Sequence, residues 1–331
     1  MKAFAKLGRE PGEAGIREID RPEPGLEEVL IRVAACGVCG SDLHAYRSDP
    51  GYEFVEPPTV LGHEFAGTVE EVGDGVEGVG PGDRVVAIAI QGCGRCETCR
   101  LGSTHLCPRR RVVGLNHDGG MSEHVVVAER HLIRVPDGLD LEIAALAEPL
   151  SVAVHAVLAR ARIQPGHTVV VTGPGPIGLL CGMMAGLSGG EVLVAGTGTD
   201  AAVRLPAAER LGLRTANLEH GPLDEHLLKN FGESAPDSWV EASGAVEALE
   251  GALGAVRRGG TITGRGHVLA ATLLLSHGSC PLGVGPAVQL RVQLSRLQDR
   301  PGPVGSREGG LGAAGPAVPA GGGPRGLQCG G

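Results

Sequence analysis

Apolar and polar positions alternate in short bursts over the first half of the chain and in longer blocks over the second. Val29-Leu-Ile-Arg-Val-Ala-Ala35 is a β-branched run that predicts a strand. Ala66-Gly-Thr-Val-Glu-Glu-Val-Gly73 alternates apolar with polar, and Gly82-Asp-Arg-Val-Val-Ala87 places another strand behind a turn. Residues 119–138 read as further strands that end in the turn Pro136-Asp137-Gly138. Short strands punctuated by Gly and Pro at this spacing predict a β-rich, barrel-like domain. A helix is predicted from Ala144 through Ala156, with Pro149 suited to its first turn.

From Gln164 the texture changes. Thr168-Val-Val-Val-Thr172 predicts a buried strand, and an apolar helix follows from Leu179. Further strands are predicted at 191–195, 238–241 and around Thr261, with helices between them at 201–211 and 245–257. This alternation predicts an α/β doubly wound, mainly parallel sheet.

Candidate chemistry is superimposed on that pattern. Gly173-Pro-Gly175-Pro176-Ile177-Gly178 lies between the first buried strand and its helix. In that position the first Gly permits a tight turn, the second lets the backbone approach a pyrophosphate, and the third lets helix pack on sheet. Cys93-Gly-Arg-Cys96-Glu-Thr-Cys99, with Cys107 after seven more residues, puts four thiols in one loop. Four sulfur ligands suit a closed, tetrahedral structural zinc; an iron–sulfur cluster has a similar ligand set. Cys39-Gly-Ser41-Asp-Leu-His44, answered by Gly62-His63-Glu64, gathers thiol, imidazole, carboxylate and hydroxyl groups of the kind an open catalytic zinc requires. Taken alone, Ser41 and His44 cap and pack a turn, and Glu148 is a first-turn carboxylate favoured by a helix dipole.

Composition sets the compartment and the partners. With 331 residues the chain has length for two cores. A net charge of -9 argues against nucleic acid as a partner, since that needs clustered Lys and Arg. Neither a signal peptide nor an uninterrupted apolar run of membrane-spanning length is visible, so the expectation is a cytoplasmic protein with no membrane partner. In that compartment nine cysteines read as metal ligands sooner than as disulfides.

On these motifs, together with Glu148-Pro-Leu-Ser-Val152 and Val240-Glu-Ala-Ser-Gly244, residues 1 to about 264 resemble the zinc-containing medium-chain alcohol and polyol dehydrogenases. The Glu-Pro-Leu-Ser-Val run is most similar to the sorbitol dehydrogenase branch. The resemblance implies a GroES-like β-rich catalytic domain (1–155), a Rossmann NAD(P)-binding domain (156–264), an active site between them, and a homo-oligomer. It also implies a small-molecule alcohol or polyol substrate; threonine and simple secondary alcohols are alternatives, as is a catalytically silent zinc- and nucleotide-binding protein. Carried over residue by residue, Cys39 and His63 match catalytic-zinc ligands. Glu64 and Glu148 match carboxylates that reach the metal directly or through water, with the inner-shell one left open. Cys93, Cys96, Cys99 and Cys107 match a structural zinc. Ser41 and His44 match a proton relay. Gly173, Gly175, Pro176, Ile177 and Gly178 match the phosphate-binding turn, with Thr197 and Arg204 completing the cofactor set.

Two departures stand out. Gly196 occupies the end of the second Rossmann strand, where an acidic residue normally accepts the adenosine ribose hydroxyls. The choice between NAD and NADP is therefore open, with Arg204 placed to approach a 2′-phosphate. Beyond about Gly264 the chain contains no Phe, Tyr, Trp or Lys, and it becomes Gly- and Pro-rich. A frameshift or sequencing error in place of the family's C-terminal portion (265–331) is the expectation there, with only Ala287 to Leu294 keeping strand-like alternation.

Overall fold

The structure, a computed structural model, describes residues 1–264 and the backbone of the short strand Gln289–Leu290. Its first part comprises β1 (Lys2–Lys6), β2 (Ala14–Glu18), β3 (Glu28–Gly37), α1 (Gly40–Arg47), β4 (Thr59–Val60), β5 (Glu64–Val72), β6 (Arg84–Ala87), β7 (Ile90–Gln91), α2 (Glu97–Arg100), β8 (Arg111–Val112), β9 (His124–Ala128) and β10 (Leu132–Arg134). The predicted strands fall on β3, β5 and β6. They form an antiparallel five-stranded sheet in the order β10-β6-β5-β3-β9, and β2-β1-β4 make a second sheet. Inward residues at alternate positions, Val29 and Ile31 of β3, Phe65 and Val69 of β5, and Val125 and Val127 of β9, share one core. The register of β3 against β5 shifts twice, between Leu30 and Ile31 and between Val33 and Ala35, and then sets Gly37 opposite Glu64.

Helix α1 differs from the ligand turn that its sequence suggests. No apolar stripe marks it: Leu43 and Tyr46 are exposed, and its buried residues are Asp42 and Ala45. Both ends are tied instead. Asp42 accepts from the Cys39 N–H at 2.8 Å at the start. At the other end Lys6, 2% exposed, donates from Nζ to Tyr46 O (3.2 Å), Ser48 Oγ (2.8 Å) and Glu10 O (2.7 Å). A cation at a helix C-terminus also meets the favourable end of the dipole. Lys6→Met is expected to lower stability by about 2 kcal/mol, because it removes a buried cation's three hydrogen bonds to part-buried acceptors. Urea unfolding measures it, and an unchanged midpoint would show that water satisfies this helix end.

α3 (Leu141–Ala144), α4 (Ala147–Val154) and a π-helical stretch (His155–Ala161) follow in succession. The run Leu141–Ala161 is long and apolar enough by length and composition to cross a membrane, although Glu142, Glu148 and Arg160 interrupt it. Its apolar residues are shared between two cores. Ala144 and Ala145 pack with Ala66 and Val135, whereas Ala153, Val157 and Ala161 pack beneath the second sheet. The expected domain boundary at 155/156 falls inside this run.

The second sheet is parallel and six-stranded, built from β11 (Thr168–Thr172), α5 (Pro176–Leu187), β12 (Glu191–Gly196), α6 (Arg204–Arg210), β13 (Arg214–Asn217), α7 (Leu223–Phe231), β14 (Ser238–Glu241), α8 (Val246–Ala255), β15 (Thr261–Gly264) and β16 (Gln289–Leu290). Its order, β13-β12-β11-β14-β15-β16, is that of a dinucleotide-binding doubly wound fold. Both faces are covered, as a run of five buried residues in β11 requires. Val169 and Val171 meet α5 and the π-helical stretch, and Val170 on the opposite face packs with Leu227, Leu249 and Ala252 of α7 and α8. The architecture is thus a GroES-like β-rich part followed by a Rossmann-like parallel sheet. Gln289 and Leu290 pair with Thr261 and Ile262 and lie within the Ala287–Leu294 alternation. The expected C-terminal anomaly otherwise lies outside the described residues.

Candidate metal and cofactor site

The first ligand cluster forms where β3 ends, α1 begins and β5 starts. Cys39 occupies the N-cap of α1, and His63 and Glu64 stand at the entry to β5. One ligand atom from each of Cys39, His63 and Glu64 lies within 4.8 Å of the other two. Two glycines make room. Gly37 faces Glu64 across the ladder, and a Cβ there would strike the Glu64 carboxylate. Gly62 holds φ at 93°, and a Cβ there would press on Met121 and the Cys36 sulfur.

The electrostatics of this cluster favour a cation. Burial raises the pKa of Glu64 and of Asp42, and it raises that of Glu148, which feels the Glu64 and Asp42 charges as well. At His63 burial opposes protonation, but the Cys39 hydrogen bond and charge, then Asp42 and Glu148, outweigh it and push the imidazole up to about 9. Thiol, imidazole and carboxylates converging, with no lysine or arginine among the described residues that act on them, are a borderline-soft donor set that fits zinc. Glu148 belongs to this electrostatic group from the first turn of α4, although its oxygens fall outside the tight cluster of three.

Asp42 was not singled out for a role from sequence, yet it organises the cluster. It is 3% exposed, accepts from the N–H groups of Cys39 (2.8 Å) and Gly62 (3.3 Å), and stands 3.6 Å from His63 Nδ1. It thereby joins the two ligand segments and sets a negative charge beside the imidazole, whose Nδ1 is buried with no hydrogen-bond partner among the described residues. The available signal was its position three residues after an N-cap, where an acidic side chain turns back on the cap N–H. On the same helix Ser41 Oγ lies 3.3 Å from His63 Nε2. His44 sits one turn further on, with Nδ1 2.6 Å from Asp49 Oδ2. Cys36 is a half-buried free thiol whose pKa burial pushes up to about 12.

The second cluster brings together Cys93, Cys96, Cys99 and Cys107, with all four sulfurs within 4.8 Å of one another. Cys96 and Cys107 sulfurs are 3.7 Å apart, against an edge of about 3.8 Å for a tetrahedron of sulfurs around zinc. The cage suits one ion sooner than a multi-iron cluster. Backbone N–H groups of Cys93 and Arg109 point at Cys107 Sγ at 3.4 Å. N–H groups of Arg95 and Cys96 lower Cys93 to about 6, whereas burial and neighbouring thiols raise Cys99 to about 11. A set in which some thiols ionise easily is prepared for a metal.

The phosphate-binding turn is equally specific in shape. Gly173 has φ 87°, and a Cβ there would lie 2.5 Å from the Ser243 backbone. A Cβ on Gly178 would run into the Gly173 carbonyl. Gly175, the N-cap of α5, faces open space, with nothing within 4 Å of a built Cβ. An open backbone at the start of a twelve-residue helix, with Pro176 at its first position and Ile177 packed on the core behind it, fits a pyrophosphate. After β12, Asp200 turns inward at 7% exposure, accepts from the Thr197 N–H at 3.0 Å and pairs with Arg204 at 3.0 Å.

Comparison with known proteins shows the family. Residues 25–137 match the alcohol dehydrogenase GroES-like domain family. The chain is 38% identical over 265 residues to the sorbitol dehydrogenase of Halalkalibacterium halodurans, covering 78% of this chain and 75% of that one. It is 36% identical over 268 residues to the L-threonine 3-dehydrogenase of Pyrococcus horikoshii, covering 79% and 75%. Among solved structures, a protein of Sinorhizobium meliloti 1021 described as a zinc-binding dehydrogenase bound to NADP superposes with a TM-score of 0.74 at 31% identity, covering 88% of this chain and 82% of that one. The chain belongs to the zinc-dependent medium-chain dehydrogenase/reductase superfamily, as an oxidoreductase with NAD(P)-binding architecture and two candidate metal-binding clusters.

Proposed function

We propose that the protein oxidises a secondary hydroxyl of a polyol or similar small alcohol, with hydride passing to NAD(P). The observation that carries this reading is the convergence of Cys39, His63 and Glu64 within 4.8 Å, with Ser41 against His63. Cys39 and His63 would hold the catalytic zinc with Glu64 or Glu148, and Cys93, Cys96, Cys99 and Cys107 would hold the structural one. When bound, zinc supplies Lewis acidity that makes an alcohol hydroxyl easier to deprotonate. Ser41 Oγ accepts the departing proton as it gives up its own toward the exit, and His44 accepts a proton there and passes it to solvent. The turn Gly173–Gly178 and the N-terminus of α5 bind the cofactor pyrophosphate. The active site lies between a catalytic domain (1–155) and a cofactor domain (156–264), in a cytoplasmic homo-oligomer. Threonine is the second substrate reading, favoured by the likeness to L-threonine 3-dehydrogenase. Nicotinamide absorbance with polyols, vicinal diols and threonine in turn tests both, and no turnover by the zinc-loaded protein on any of them rejects the assignment.

Cofactor choice follows from Asp200. Its carboxylate is engaged by Thr197 and Arg204, and Gly196 has no side chain to repel a phosphate. NADP is therefore expected to bind within about tenfold of NAD, and Arg204→Ala to weaken NADP about tenfold while sparing NAD. A preference for NAD of about a thousandfold, or about 4 kcal/mol, would mean that a carboxylate reaches the ribose.

A further inference from the structure

The segment after α1 folds back onto His44. Ser48 adopts a left-handed conformation (φ 54°), which sends the Asp49 N–H to His44 O at 3.0 Å. The Asp49 carboxylate then meets His44 Nδ1 at 2.6 Å. The next turn closes with the Tyr52 N–H on Asp49 O at 3.1 Å, and the Tyr52 ring stacks on the imidazole, centroids 5.1 Å apart and planes 26° from parallel. Lys6 anchors this turn through Ser48 Oγ. His44 is thus gripped at one ring nitrogen and on one face, while Nε2 makes no hydrogen bond among the described residues.

We propose that Asp49 is a positioning residue that locks His44 in the Nδ1–H tautomer and leaves the Nε2 lone pair free to accept a proton. The proposal rests on the reading of Ser41 and His44 as the proton exit. An ionised carboxylate only accepts hydrogen bonds, so the shared proton resides on Nδ1. An ordinary exposed ion pair would need neither the left-handed turn nor the stacked ring, and it would set no tautomer that matters. A relay group must present a free lone pair, and with Nδ1 held by Asp49 this clamp leaves Nε2 to present it.

The test pairs a spectrum with kinetics on the full-length, zinc-loaded protein. With ¹⁵N-labelled histidine in mildly alkaline buffer, where a free imidazole is neutral, His44 is assigned by the signal lost in His44→Gln. Wild type is expected to show a protonated Nδ1 and an unprotonated Nε2. Asp49→Asn, whose amide also donates, is expected to populate the other tautomer and to lower kcat about ten- to a hundredfold, with KM for alcohol and cofactor within about twofold. Asp49→Glu should restore both signals. A mixed tautomer in wild type, an unchanged spectrum in Asp49→Asn, or full turnover of Asp49→Asn beside an impaired His44→Gln would each overturn the proposal. A locked tautomer in a protein whose His44→Gln variant keeps full turnover would overturn the relay reading and leave the lock standing.

Discussion

His63→Ala is expected to remove one of two zinc ions per chain and to lower turnover about a thousandfold, or about 4 kcal/mol, while the protein stays folded. The loss should be local because His63 packs among charged groups and not in an apolar core. Its neighbours are Cys39, Asp42, Glu64 and Glu148, three of them carboxylates already raised by burial. Without the imidazole the cluster keeps its carboxylates and thiol but loses the candidate nitrogen ligand beside Asp42. Elemental analysis and steady-state kinetics on the same preparation check this. Two zinc ions and normal turnover in His63→Ala would place the chemistry elsewhere.

Cys96→Ser should do the reverse, damaging the fold while leaving the phosphate-binding turn intact. Residues 93–107 have little core of their own: α2 has four residues, Leu101 is 76% exposed, and only Cys99 and Cys107 of the four thiols are buried. If the cluster holds zinc as proposed, the segment depends on that ion, because structural zinc contributes directly to folding free energy. A loss of about 4 kcal/mol is expected, lowering the melting midpoint by about 10 °C. Proteolysis should begin within this loop. Calorimetry with a zinc count decides it, since a variant with two zinc ions and an unshifted midpoint would show that the thiols are not a metal cage. Opposite outcomes for His63→Ala and Cys96→Ser assign one ion to each cluster.

The parts of this protein that its sequence determines by itself are those encoded over short distances. Four cysteines in one loop have nowhere to go but near each other, and a Gly-rich turn between a buried strand and an apolar helix can form one shape. Val169, Val170 and Val171, an unbroken apolar run with no alternation, state that both sheet faces are covered. Helix α1 was not legible, because nothing in Gly40–Arg47 has an apolar period. It exists through Asp42 at one end and Lys6 at the other, and Lys6 arrives from β1. The Glu-Pro-Leu-Ser-Val run marked Glu148 by resemblance, but only the tertiary structure sets it within electrostatic reach of His63 and Glu64, from the helical run that joins the two cores. Tertiary structure likewise turned Asp200 inward and Asp49 back onto His44, where a left-handed residue and a backbone N–H, both invisible in composition, decide which atoms face the site.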